Sequence, residues 1–376
     1  MAHLQDRRPA FTEPTEPGPT KDDGQDDSAA LIDTVTQAGR ERTPLRIVGG
    51  DTKAFLGRRV DATKTLDLNR HAGIVHYDPV ELIATARAGT RLAHLEQVLG
   101  ESQQRLAFEP PHFGGGATVG GMVAAGLSGP RRPWAGSVRD FVLGVRVITA
   151  EGKHLRFGGE VMKNVAGYDL SRLMVGAQGT LGVMTEVSFK VLPAPVANAW
   201  LRLSLSFEDA RQRLIEWSRL PLPITGAAFE AGTLHLRLEG GEGSVESTRR
   251  QIGGDAESAD FWNDLREHQL PFFHHDDPRP LWRLSLPARA RLPALDGDWL
   301  IDWGGVQPWL RSDESPTHIQ EATAAIGGHA TRYTPSDDNV SPHPPLTAVL
   351  DKYHRRLKAR LDPNGLFNPG RLYADW

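Results

Sequence analysis

Apolar residues at helical spacing through AALIDTVTQAGRE predict a first helix, with Ser28 as its cap, after a polar leader rich in Pro, Glu, Asp and Thr. The leader, residues 1–27, reads as disordered. The period then shortens. LRIV (45–48) reads as a buried strand running into Gly49-Gly50, and TLDL (65–68) as another. ELIATARAG (81–89) leads into a helix, TRLAHLEQVLGES, and GGMVAAGLSG (120–129) reads as a short small-residue helix. DFVLGVRVITAEGKHLRFGG (140–159) has the pattern of a hairpin turning at Glu151-Gly152. YDLSRLMVGA reads as helical and LGVMTEVSFKVLP (181–193) as an alternating strand.

Pro193-Ala194-Pro195 punctuates the chain, and the pattern changes beyond it. From Asn198 the order is strand, helix, strand, strand, with WRLSLP (282–287) and WLIDWGG (299–305) as further strands. The tail holds a helix and a segment pinned by proline and glycine, DPNGLFNPGRLY. The expected division is therefore 28–197, 198–330 and 331–376, an α+β chain without repeats or heptads.

Three glycine-dense stretches stand between these elements: Gly49-Gly50-Asp51-Thr52, then residues 114–121, then VMKNVAGYDLSRLMVGAQGTLGVMTE. Glycine lets main-chain N–H groups approach a phosphate closely and turn through positive φ. Each good N–H bond to a charged oxygen contributes about 1.5–3 kcal/mol, so several such turns can hold a large anionic cofactor.

Composition narrows the choice. A length of 376 residues allows two domains. A formal charge of −4, from 43 basic and 47 acidic residues, gives no reason to expect nucleic acid or an anionic membrane as partner. Cysteine is absent, which excludes disulfides, a thiol nucleophile, cysteine-ligated clusters and a cysteinyl link to a cofactor. Any one-electron carrier beyond an organic cofactor must then sit in another protein. No stretch approaches a spanning helix, and the N-terminus has neither a signal peptide's apolar core nor a transit peptide's lack of acidic residues. Neither G-x-G-x-x-G after a strand nor a P-loop is present, and H-E-x-x-H and G-x-S-x-G are also missing. His274-His275 reads as a solvated loop pair, and no metal site is expected.

RIVGGDTKAFLG, PPHFGGGATVGGMVAAGLSGPRR, GSVRDFVLG and KNVAGYDLSRLMVGAQGTLGVMTEV resemble the FAD-binding domain of the vanillyl-alcohol-oxidase and p-cresol-methylhydroxylase superfamily. DPNGLFNPGRL resembles its closing motif. From Ser28 to Trp376, including GGEVMKNVAGYDLSRLMVG, RLEGGEGSV, LPFF and LIDWGG, the chain is similar to the FAD-binding E subunits of bacterial glycolate oxidase, also called glycolate dehydrogenase. The resemblance implies a two-subdomain FAD-binding domain of the p-cresol-methylhydroxylase type, a small α+β cap-like domain for substrate or interaction, and a tail that returns to the first domain. It places Gly49, Gly50, Asp51, Thr52 and Lys53 around the pyrophosphate, although the family usually has glycine where Asp51 stands. Ala117, Thr118, Gly120 and Gly121 would run along the pyrophosphate and flavin ring, continued by Gly126, Ser128, Gly136, Ser137 and Arg139. Gly179, Thr180, Gly182 and Val183 would hold the adenine–ribose end, with Asn368 and Arg371 closing from the tail. Tyr168-Asp169 reads equally as a helix cap or a cofactor contact. The family often tethers its flavin through histidine or cysteine. The first turn has no histidine, and with His112 the weaker alternative, noncovalent FAD is expected.

Oxidation of a 2-hydroxy acid needs a base for the hydroxyl proton, a cation for the carboxylate and an α-carbon held close to the flavin. Arg283, Arg332 and His329 are the candidates in the second domain. Arg283 reads alternatively as an exposed strand arginine, His329 as a loop histidine without function. Trp299, Trp303 and Trp309 read as core or interface residues. The H-x-G-D-G-N-x-H type of motif of related D-lactate dehydrogenases and glycolate oxidase D subunits does not appear. The resemblance further implies an FAD-binding D subunit and an iron–sulfur F subunit as partners, glycolate or another small 2-hydroxy acid as substrate, and a cytoplasmic location peripheral to the membrane. Two other readings stay open: a flavin electron-relay subunit without substrate chemistry, and a small stand-alone oxidase.

Overall fold

The computed structural model describes residues 24–159, 169–274, 276–334 and 341–376. The first helix spans Ser28–Glu41 and buries Leu31, Val35 and Ala38, one stripe at helical spacing. That stripe packs on the parallel pair Leu45–Val48 and Lys64–Asp67 and on Leu366 and Phe367 from the tail. Ser28 lies inside the helix and is not its cap: its N–H donates to the Asp26 carboxylate at 2.9 Å. The expected leader also ends earlier. Asp26 pairs with Arg87 at 3.5 Å, Asp27 N–H donates to His71 at 3.1 Å, and the Gln25 carbonyl accepts from Ala72 at 3.1 Å. Arg87 and His71 are buried polar groups, and these contacts hold residues 25–27 against the fold.

An antiparallel five-stranded sheet follows, in the order Ile74–Asp78, Ile83–Arg87, Val183–Lys190, Val142–Ile148 and His154–Gly158. Every residue of Ile83–Arg87 is buried, as a central strand covered on both faces must be. Helices Leu92–Glu101 and Val119–Ala125 provide one cover through Leu92, Leu95, Leu99, Met122 and Val123. The hairpin 140–159 forms as the pattern predicts, whereas Ile74–Asp78 lacks a clear period and was not anticipated. Helix in YDLSRLMVGA is confined to Leu170–Leu173, where Asp169 accepts from Arg172 N–H at 3.0 Å. Tyr168 and much of that glycine stretch lie outside the described residues.

The remaining chain builds an eight-stranded antiparallel sheet. Its order is Asp255–Ala256, Ala197–Ser204, Thr233–Gly240, Ile224–Glu230, Asp298–Asp302, Gln307–Arg311, Leu281–Ser285 and His329–Arg332. One face carries helices Phe207–Trp217, Glu242–Ile252 and Pro316–Ala325. The other presents Trp309, Leu281 and Tyr333 to helix Asp260–Glu267 and to Phe55 and Leu56 of the first lobe. The structure is thus α+β, with two large sheets whose lobes meet through Phe55 and Leu56. Among the described residues, no helix is long and apolar enough to cross a membrane.

Candidate active site

The strand Leu45–Val48 delivers the chain into the turn Gly49–Lys53, which backs onto the second glycine turn. A Cβ at Gly49 would collide with Thr118 Oγ1, and one at Gly50 with the Gly116 carbonyl, so both positions require glycine for turn-on-turn contact. Asp51 takes φ 54°, a left-handed conformation that a short polar side chain tolerates. Its carboxylate pairs with Arg46, which neutralises an anion that would otherwise repel phosphate. None of the backbone N–H groups of Gly49 through Lys53 donates a hydrogen bond within the described residues. Consecutive unspent amides of this kind form an anion-binding nest.

These five residues line a cleft closed on other sides by Thr118, Gly120, Gly121, Gly179, Gly182, Asn368 and Arg371. Asn368 stitches the cleft together: Oδ1 accepts from Ile47 N–H at 2.8 Å, and Nδ2 donates to the Gln178 carbonyl at 2.7 Å. Arg371 donates to Gln178 Oε1 at 3.1 Å and to the carbonyls of Arg58 at 2.9 Å and Ala54 at 3.1 Å. Burial pushes its guanidinium down to about 10, with Asp51 opposing and Arg46 adding to the fall. Lys53 Nζ donates to the His112 carbonyl at 3.0 Å, and burial lowers it to about 8 against the pull of Glu267. The cleft is therefore positive, and hydrogen bonds to neutral oxygens hold Lys53 and Arg371 in place.

Other expected cofactor residues lie outside this lining. Ala117 is buried in the core, its carbonyl accepting from Leu92 N–H, and Val183 is fully buried beneath the strand pair. Thr180 turns its hydroxyl to the Ala177 carbonyl at 2.7 Å, and its own carbonyl receives Lys358. Gly126 is the left-handed cap of helix Val119–Ala125, and Ser128 accepts from Val138 N–H at 3.0 Å. Ser137 forms a capping box with Asp140, next to Gly136 at φ 104°, and Arg139 is exposed. Local backbone demands explain these residue types.

The second sheet separates the three substrate candidates. Arg283 pairs in register with Trp309 and Thr331, so it shares the face of Trp309, His329 and Tyr333, which looks toward the first lobe. Arg332 pairs with Trp282 instead and joins the opposite, helix-covered face. Arg283 is half-buried, not the exposed strand arginine of the alternative reading, and loss of water lowers its guanidinium. Its guanidinium lies 5.9 Å from the Tyr333 ring. His329 sits exposed at the sheet edge, yet surrounding protein and Arg283 hold its ring below the ordinary range. Trp309 is core, while Trp303 Nε1 donates across the lobes to the Gly129 carbonyl at 3.0 Å.

Residues 26–158 match the FAD binding domain family. The chain is 55% identical, over 93% of its own length and 98% of the relative's, to the glycolate oxidase subunit GlcE of Escherichia coli (strain K12). The chain belongs to this GlcE family. It is also 37% identical to the glycolate oxidase subunit GlcD of Bacillus subtilis (strain 168), over 43% of this chain and 34% of that one. In fold it matches p-cresol methylhydroxylase with substrate bound, at TM-score 0.69 and 14% identity over 94% of this chain and 88% of that one.

The GlcE-family chain is an FAD-binding flavoprotein of the oxidoreductase class. Its cleft fits the cofactor through the chemistry of its donors: unspent amides and the cations Lys53 and Arg371 supply a pyrophosphate end. Residue-by-residue reading did not anticipate Arg46, Gln178, Tyr333, His268 or His343. Arg46 could have been suspected from its spacing to Asp51 beside a strand end. The other four reach the site through tertiary contacts with no local sequence pattern.

Proposed function

We propose that this chain is the FAD-binding subunit of a heteromeric glycolate dehydrogenase that oxidises glycolate to glyoxylate. The observation carrying this reading is the run of unspent amides from Gly49 to Lys53 in a positive cleft. Bound noncovalently there, the flavin supplies the acceptor for the two electrons taken from a 2-hydroxy acid. The chain's own part is positioning. Gly49–Lys53 hold the pyrophosphate, Thr118, Gly120 and Gly121 set the depth of the site, and Gly179, Gly182, Asn368 and Arg371 close its far end. Arg283 and His329 face the substrate side. His112, the alternative tether, engages Glu96 at 2.8 Å through its ring.

A chain without cysteine holds no cysteine-ligated cluster, which supports an iron–sulfur partner as the electron exit. An FAD-binding D subunit completes the proposed assembly, which sits in the cytoplasm, peripheral to the membrane. The domain limits 28–197, 198–330 and 331–376 belong to the same reading, with the last strand of the second sheet running to Arg332. The missing H-x-G-D-G-N-x-H motif favours a second reading, a relay subunit that binds flavin and leaves substrate to its partner. Purified alone and mixed anaerobically with glycolate, a catalytic chain shows a flavin spectrum that bleaches. A yellow chain that bleaches only with its partners present supports the relay, and a colourless chain, with or without them, refutes both.

A further inference from the structure

We infer that this chain carries its own carboxylate subsite at the junction of the lobes, in which Arg283 receives the carboxylate of a small 2-hydroxy monocarboxylate. The inference rests on the FAD reading above and adds a substrate site to it. Four observations carry it.

Among the described residues Arg283 has no counter-ion: no carboxylate pairs with it and no hydrogen bond ties down its N–H groups. Other deep arginines have carboxylate or carbonyl partners for at least part of the guanidinium. Arg237 engages Glu109 at 2.8 and 2.9 Å, and Arg311 donates to the carbonyls of His274 at 2.9 Å and Arg279 at 3.0 Å. A half-buried guanidinium that the protein leaves without a partner is open to an anion from solution.

The titratable groups around Arg283 do not cancel its charge. Burial lowers His268 to about 3 and His343 to about 4, with Arg283 lowering both further. His329 is also lowered, and Tyr333 is raised by burial. At neutral pH these four are uncharged, so none of them cancels the positive charge of Arg283, which the nearby Arg132 reinforces. That balance suits one carboxylate beside one hydroxyl.

The walls are closely packed rings. Tyr333 lies edge-on to Trp309 at 4.8 Å and to Phe55 at 5.2 Å, and His268 stacks on Phe273 at 4.2 Å. The subsite also adjoins the cofactor cleft. Phe55 follows Lys53 and Ala54, which line that cleft, and His343 feels the charges of both Arg371 and Arg283.

The test uses the full-length chain loaded with FAD, its flavin content read from absorbance, and titrates glycolate while following flavin absorbance and tryptophan fluorescence. Glycolamide, which lacks the carboxylate, is the control. Glycolate is expected to bind and glycolamide not. Arg283→Met should weaken glycolate at least tenfold with unchanged flavin content, and Arg283→Lys should fall between the two. Removing an unpaired charge should also raise the Tm of Arg283→Met, which separates loss of binding from loss of folding. If Arg283→Met fails to fold, Tyr333→Phe, which keeps the ring, serves instead, with a several-fold weaker affinity expected. A flavin-loaded wild-type chain that ignores glycolate, or a variant with unaltered affinity, overturns the subsite and leaves the flavin reading intact. A chain that never holds flavin overturns that reading and, with it, the subsite.

Discussion

Lys53 shows at the residue scale how the fold makes a charge conditional. Burial takes its ammonium from 10.5 to about 8, while Glu267 partly restores it. Below about pH 8 the group is charged beside the expected phosphates, and above it the charge goes. FAD affinity should therefore fall as pH rises from 7 to 9.5, whereas Lys53→Met should bind about tenfold more weakly and with a flat profile. Flavin-fluorescence titrations at each pH decide it, and a flat wild-type profile would put the lysine out of reach of the phosphates. Two neighbouring glycines separate packing from ligand contact in the same way. A Cβ at Gly120 would lie 2.7 Å from Ala88 Cβ, so Gly120→Val forces the helix off its strand at ~1–3 kcal/mol. Both residues line the cleft, but at Gly121 the nearest atom is Thr118 Oγ1 at 3.1 Å, so a side chain there meets the cofactor space without pressing on the strand. Gly121→Val should lose flavin with the apo Tm nearly unchanged, while Gly120→Val should lower that Tm first. Identical behaviour of the two variants would contradict this division.

Among the elements, the tail helix Ala348–Leu361 is held in an unusual way, because Lys358 is its buried side chain. Its ammonium donates to the carbonyls of Thr180 at 2.7 Å and Phe367 at 3.1 Å, and to Asp362 at 2.6 Å. Asp362 in turn accepts the N–H groups of Leu366 and Phe367 at 2.8 and 2.9 Å, just before Asn368 and Arg371 enter the cleft. Lys358→Met leaves that carboxylate buried without its cation, which should cost about 3–5 kcal/mol and speed FAD release. Urea melts and flavin dissociation rates test this, and an unchanged off-rate would uncouple the tail from the cofactor. Such a link could not be read from the sequence, where Lys358 looks like any helix-surface lysine. What was legible is local: the strand 45–48 ending in glycine, the hairpin 140–159 and the glycine turns all carry their geometry in adjacent residues. What was not legible depends on distant pairing. Leu281–Ser285 lies between Gln307–Arg311 and His329–Arg332, and that register alone puts Arg283 with His329 and sends Arg332 to the other face.

Across the whole molecule, a buried charge cluster joins the lobes. Glu109 of the first lobe takes both arms of Arg237, and Arg131 lies between Glu109, at 3.4 Å, and Glu239, which Arg105 also reaches at 3.1 Å. Asp302 lies buried beside this cluster, its carboxylate accepting from Trp303 N–H at 2.6 Å. Burial pushes it up to about 7, with Glu109 raising it further while the Trp303 N–H and Arg237 oppose. The sign follows from proton counting. Between about pH 4 and 7 the folded chain keeps a proton on Asp302 that the unfolded chain has released, so this group's contribution to stability declines as pH rises through that window and is flat above it. The loss is bounded by on the order of 4 kcal/mol. Asp302→Asn preserves the acceptor for Trp303 without the titration. Melting both proteins from pH 5 to 8 should give a shallower fall for the variant, and a higher Tm than wild type above pH 7. Histidines titrate over the same interval in both proteins, so the difference between the two curves isolates Asp302. Parallel curves would mean that Arg237 keeps the carboxylate ionised throughout, making Asp302 a permanent member of the bridge between the lobes.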